Sequence, residues 1–192
     1  SGRFMAAVFR NPAVKDAVME LLEKRDGLIL GIGSGFQALI RLGLIPYGQI
    51  RDLDSNSPAL TLNTIGRHVS RMVQTRVASV LSPWLALCEP GDIHTIVYSH
   101  GEGRFIAGPD MIRELAAKGQ IATQYVDEEG NPTGAFPHNP SGSMGAIEGI
   151  TSPDGRVFGK MCHSERVGTH VAKNVPGVKE QLIFQSGVNY FR

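Results

Sequence analysis

Cysteine is scarce in this 192-residue chain: only Cys88 and Cys162 occur. That scarcity excludes a disulfide framework and leads us to expect two reduced thiols in a cytoplasmic protein. Long apolar runs are missing as well. No stretch approaches the ~20 residues that span a bilayer, and the opening residues lack the basic-then-apolar order of a secretion signal. Neither sign of charge dominates, because 19 Lys and Arg stand against 18 Asp and Glu, so neither a nucleic acid nor a membrane surface is expected as a partner. The absence of a Cys-x-x-Cys pair and of a His-Glu-x-x-His helix argues against a metal site. No repeat, linker or low-complexity tract divides the chain, and with 42% hydrophobic residues a single domain over residues 1–192 is expected. What the chain does have is glycine, 23 residues of it, and its placement is informative.

Along the chain, Asn11-Pro12 reads as a helix cap followed by proline in the first turn. Val14, Val18, Leu21 and Leu22 recur at helical spacing up to a stop at Gly27. Leu28 to Ile32 reads as a buried strand, and Phe36 to Leu42 as a helix closed by Gly43. The segments Thr61–Thr64 and Met72–Val77 alternate as half-exposed strands do, which predicts an antiparallel portion. A further strand over Gly91–Ser99 delivers His100 and Glu102 to its end. A helix is expected over Met111–Lys118 and a strand over Ile121–Val126. The Pro-, Asn-, Gly- and Ser-rich stretch from Phe136 to Ser143 is loop, and a hairpin through Ser152-Pro153-Asp154-Gly155 and Val157–Met161 ends at His163. The pattern is that of an α/β fold.

The run Gly27-Leu28-Ile29-Leu30-Gly31-Ile32-Gly33-Ser34-Gly35-Phe36-Gln37 takes an apolar strand through a glycine-punctuated turn into a helix. Such elbows hold a nucleophile in a strained conformation beside a helix N-terminus. Here the tip is Gly33, which has no side chain. A nucleophile shifted to Ser34 would want glycines at 32 and 36, where Ile32 and Phe36 stand. A dinucleotide fingerprint fails for want of a third glycine at Phe36, and a P-loop for want of Lys followed by Ser or Thr.

The elbow resembles the G-x-C-x-G-x-Q turn of the class I (triad) glutamine amidotransferases, with Gly33 at the cysteine position. Cys162-His163-Ser164-Glu165-Arg166 resembles their P-H-P-E-R signature. Ile45-Pro46, Asn63–Arg67, Ser99-His100-Gly101-Glu102-Gly103 and Asn139-Pro140-Ser141-Gly142-Ser143 are similar to the glutaminase domains of phosphoribosylformylglycinamidine synthases, and the likeness runs through essentially the whole chain. It implies a flavodoxin-like open sheet with helices on both faces and a small antiparallel portion. The family's first strands, and a Gly-Gly loop that donates to the oxyanion, lie ahead of Ser1. An open sheet edge implies self-association through it.

The same resemblance implies a catalytic set of Gly33 (in place of the thiol), His163 and Glu165, with histidine moving the proton and the carboxylate orienting it. Glutamine would be bordered by Gln37 and by Asn139, Ser141, Gly142 and Ser143. Ammonia would pass to a synthetase domain or subunit near His100 and Glu102, where the glycines flanking Glu102 permit close approach. No cofactor is expected in this domain; ATP and magnesium would belong to the synthetase. Natural loss, a substitution that traps substrate and the shifted Ser34 stay open as explanations of Gly33. His68 is either near the site or in an exposed loop, His94 is structural, and His138 and His170 receive no role.

Overall fold

The computed structural model describes residues 2–192. In chain order the elements are α1 (Gly2–Phe9), α2 (Pro12–Glu23), β1 (Ile29–Ile32), α3 (Ser34–Leu42), α4 (Leu44–Tyr47), β2 (Ala59–Leu62), β3 (Val69–Val77), β4 (Ile93–His100), β5 (Glu102–Ile106), α5 (Pro109–Ala117), β6 (Ile121–Tyr125), β7 (Ile147–Thr151), β8 (Val157–Lys160) and α6 (Ile183–Tyr190), with 3-10 turns at Pro83–Leu85 and Met144–Ala146.

Six strands form one sheet in the order β1-β8-β7-β6-β3-β4, and β2 pairs with β5 in a separate antiparallel ribbon. Only β1 and β8 run parallel, from Ile29 opposite Val157 to Ile32 opposite Lys160; every other pair in the large sheet is antiparallel. The fold is thus α/β with the expected small antiparallel portion present as the β2–β5 ribbon, and antiparallel pairing also runs through most of the large mixed sheet. The hairpin at Ser152–Gly155 and the long β3–β4 pair, from Val69 opposite His100 to Arg76 opposite Ile93, account for this.

Alternation along the strands sends side chains to two cores. Val157 and Ile150 join Phe36, Leu39, Ile40 and Leu115 on the face covered by α3 and α5. Phe158, Val77 and Ala122 pack with Leu85 and Ile183 on the face covered by α6 and the Pro83–Leu85 turn. Helices therefore lie on both faces. β1 is an outermost strand, and Trp84 donates its indole N–H to Ile29 O at 3.1 Å.

The local signals act where expected, with one exception. Asn11 Oδ1 accepts from Ala13 N at 3.1 Å ahead of Pro12, and Gly43 closes α3 in the left-handed conformation at φ +80°. After α2, however, Asp26 takes the left-handed turn at φ +51°, a conformation aspartate tolerates better than most residues. Gly27 serves close approach instead: a Cβ there would stand 2.4 Å from Leu21 Cγ.

Candidate active site

The parallel pairing of β1 with β8 brings the elbow and the His-x-Glu turn together at one sheet end, since both follow the carboxyl ends of adjacent strands. Gly33 N donates to Lys160 O at 2.9 Å, tying the tip of the elbow to the last residue of β8. Gly33 itself has φ +56° and ψ −109° and caps the start of α3, so the tip faces the positive end of the helix dipole. A Cβ built on Gly33 would lie 3.4 Å from His163 Cε1, 2.7 Å from His100 Cε1 and 3.2 Å from His100 Nε2. Two imidazoles therefore converge on the place where the nucleophile's side chain would begin.

His163 Nδ1 and Glu165 Oε1 are 2.6 Å apart. The ionised carboxylate only accepts, so the ring carries its proton on Nδ1 and leaves a lone pair on Nε2. That Nε2 is buried and has no hydrogen-bond partner. The Cε1 that faces Gly33 lies between the two ring nitrogens, so with Nδ1 engaged by Glu165 the nitrogen left to act as a general base toward a nucleophile at the tip is Nε2. The His163 side chain is 11% exposed and that of Glu165 41%, so the dyad opens to solvent on the carboxylate side. His163 N donates to Val97 O at 2.8 Å, anchoring the turn on the outer edge of β4.

His100, at the end of β4, lies inside this site. Its Nε2 donates to Met161 O at 2.8 Å, and its ring stacks on that of His163 with centroids 4.7 Å apart and planes 19° apart. Burial, reinforced by the neighbouring His163 ring, pushes its imidazole down to about 4, so it stays neutral at physiological pH. The ring that the resemblance put beside a partner domain thus faces inward against Gly33 and His163. Nothing in the Ser-His-Gly-Glu-Gly run foretells this, because it depends on β4 and the end of β8 being brought together by the fold.

The residues that the resemblance assigned to glutamine form one web around the His100–Gly103 turn. Gln37 Nε2 donates to Glu102 O at 2.7 Å, joining α3 to the start of β5. Asn139 Oδ1 accepts from Gly142 N and Ser143 N, and its Nδ2 donates to Ser143 O. Ser141 and Ser143 bond each other at 2.8 Å, and Ser143 Oγ also reaches Gly103 O and Phe105 N. The side chains of Asn139, Ser141 and Ser143 are buried and engaged internally. Gly142 is half-buried at φ +76°, where a Cβ would meet Thr64.

Asn63 completes the web, and sequence reasoning gave it no individual role. It is 2% exposed, donates to His100 O and Arg67 O, and accepts from Tyr98 OH at 2.6 Å. His68 is exposed and bonds Ser99 Oγ at 3.1 Å. His94 is buried within β4, and burial lowers its pKa. Also unanticipated is a buried ion pair, Lys160 with Glu148 at 3.4 Å, directly beneath the Cys162–Ser164 turn. Its only trace in the sequence is a charged residue in each of two otherwise apolar strands. Among the described residues, no three His, Cys, Asp or Glu side chains converge in a way that could hold a metal ion. None of the described helices is long and apolar enough to cross a membrane.

Comparison with known proteins shows the family. The phosphoribosylformylglycinamidine synthase subunit PurQ of Symbiobacterium thermophilum is 36% identical over 92% of this chain and 68% of its own length. The protein of the same name from Synechococcus elongatus is 34% identical over 88% of this chain and 65% of its own. The chain thus spans about two thirds of the length of these relatives. A solved structure described as PurLQS from Thermotoga maritima superposes with a TM-score of 0.69 at 27% identity, covering 97% of this chain and 72% of that one. The family model of the CobB/CobQ-like glutamine amidotransferase domain matches residues 1–191, and the chain belongs to that family.

Proposed function

We propose that this chain is the glutaminase part of a phosphoribosylformylglycinamidine synthase, with the acyl-transfer site in place but without the thiol that begins the reaction. The observation that carries this reading is the meeting of the Gly33 tip with Cε1 of a His163 ring that is bonded to Glu165 through Nδ1 and unpartnered at Nε2. In the armed enzyme a thiolate at the tip attacks the glutamine amide carbon, His163 takes the thiol proton and delivers it to the departing ammonia, and water then frees glutamate. Without a side chain at position 33 no thioester forms, and loss of a nucleophile costs several orders of magnitude in rate. The ammonia would pass to a synthetase domain or subunit, which holds ATP and magnesium, in the cytoplasm. The test is glutamate release by the unaltered chain beside its Gly33→Cys variant. Release by the variant alone supports the reading, and release by the unaltered chain refutes it.

Gly33 also favours a second reading, a docking or regulatory domain that keeps the fold and has left catalysis behind. Calorimetry with glutamine separates the two: a disarmed glutaminase binds glutamine, and a docking domain does not.

A further inference from the structure

Beneath the catalytic turn, the Lys160 and Glu148 side chains are both fully buried and 3.4 Å apart. Their bonds go to the main chain of Cys162, before His163, and to the hydroxyl of Ser164, after it. Glu148 Oε1 accepts from Cys162 N at 2.6 Å, and its Oε2 accepts from Thr123 Oγ1. Lys160 Nζ donates to Cys162 O at 3.2 Å and to Ser164 Oγ at 2.7 Å, and Ser164 Oγ in turn donates to Gln181 Oε1. Cys162, the residue preceding His163, is thus held at both its N–H and its carbonyl, and the residue following His163 is held by its hydroxyl. Lys160 also accepts Gly33 N on its own carbonyl at 2.9 Å. One residue therefore touches the elbow through its main chain and the histidine turn through its side chain.

A buried ion pair is a poor device for stability alone, because desolvation consumes most of the Coulomb attraction and a well-packed apolar pair often serves as well. What charge adds here is direction, since strong bonds to both backbone groups of Cys162 fix the chain where it enters His163. We infer that Lys160 and Glu148 are positioning residues that aim the His163 imidazole at the tip of the elbow and hold it within reach of Glu165. This inference rests on the proposed role of His163 as the base.

The test uses the full chain carrying Glu148→Gln and Lys160→Met together, so that no lone charge is buried, and reads the histidine ring directly. In 15N-histidine spectra the parent should show a downfield Nδ1 proton from the His163–Glu165 bond, assigned by its loss in His163→Gln. The paired variant should fold and lose that signal. In the Gly33→Cys background the pair of substitutions should lower kcat for glutamate release at least tenfold and change KM less than twofold. Should the paired variant not fold, Ser164→Ala, which removes one Lys160 contact, should weaken the signal in a folded protein. An unchanged His163 signal in whichever of these variants folds overturns the inference. If Gly33→Cys releases no glutamate, the glutaminase reading fails while the spectra still decide the positioning role.

Discussion

Restoring a cysteine at the elbow should cost stability, and the structure sets the size of that cost. Gly33 sits at φ +56° and ψ −109°, a region in which a side chain brings about 1–3 kcal/mol of backbone strain. The new Cβ would also stand 2.7 Å from His100 Cε1. That ring is held by its bond to Met161 O and its stack on His163, so yielding to the Cβ disturbs both. Together these give about 2–3 kcal/mol for Gly33→Cys, or roughly 4–12 °C in Tm for a domain of this size. Gly33→Ala should cost much the same, because the penalty belongs to the Cβ and not to the sulfur. The assay is urea or thermal unfolding of both variants, alone and combined with His100→Ala. Removing the ring should reduce the cost of the cysteine by about 1 kcal/mol, seen as coupling in a double-mutant cycle. A Gly33→Cys protein as stable as the parent would refute both the strained elbow and the contact with His100.

Three further outcomes are expected. The His100 imidazole is pushed down to about 4 from an ordinary 6.5 by burial, so the unfolded chain takes up its proton first as pH falls. The corresponding stability is fully present above pH 6.5 and is lost as pH drops from 6.5 toward 4. The full shift would be worth more, but the ring is partly exposed, and about 2 kcal/mol is expected. Urea unfolding across that window should show the loss in the parent, and it should be reduced by that amount in His100→Gln. Cys88, pushed up to about 11 by burial, and Cys162, raised well above its ordinary value, are both buried. Neither should react with a colorimetric disulfide reagent until the protein unfolds, and prompt reaction of either would contradict its burial. Asn63→Ala should destabilise the chain by about 2–4 kcal/mol, because it leaves His100 O, Arg67 O and Tyr98 OH without their partner. An effect below 0.5 kcal/mol in chemical denaturation would show that the web does not hold the turn.

How much of this was legible in the sequence depended on whether a feature is local. The elbow was, because glycines between an apolar strand and a helix constrain their own backbone. The His163–Glu165 pair was legible only through the resemblance of the Cys162–Arg166 run taken with the elbow, because a histidine and a glutamate two apart are weak evidence by themselves. β5 was not, because Gly101 and Gly103 beside Glu102 read as loop, whereas Leu62 pairs with Glu102 and makes a strand of it. α6 was not either, since Gly187 weakens its pattern; in the fold that glycine lets the helix lie against Trp84, where a Cβ would meet the indole at 2.3 Å. The place of His100 comes from the bridge between Val97 of β4 and His163 in the turn after β8, and the pairing of Lys160 with Glu148 from β7 lying beside β8; no short stretch of sequence encodes either.

The central claim is that the Gly33 elbow and the His163–Glu165 pair form an amidotransferase site without its nucleophile, and an electrophilic glutamine analogue that alkylates thiols tests it most directly. Mass spectrometry of the Gly33→Cys variant should show one adduct at position 33, blocked by glutamine and slowed when His163→Ala is added, while the unaltered chain shows none. An adduct on the unaltered chain that glutamine blocks, or no adduct at position 33 of the variant, would contradict the account.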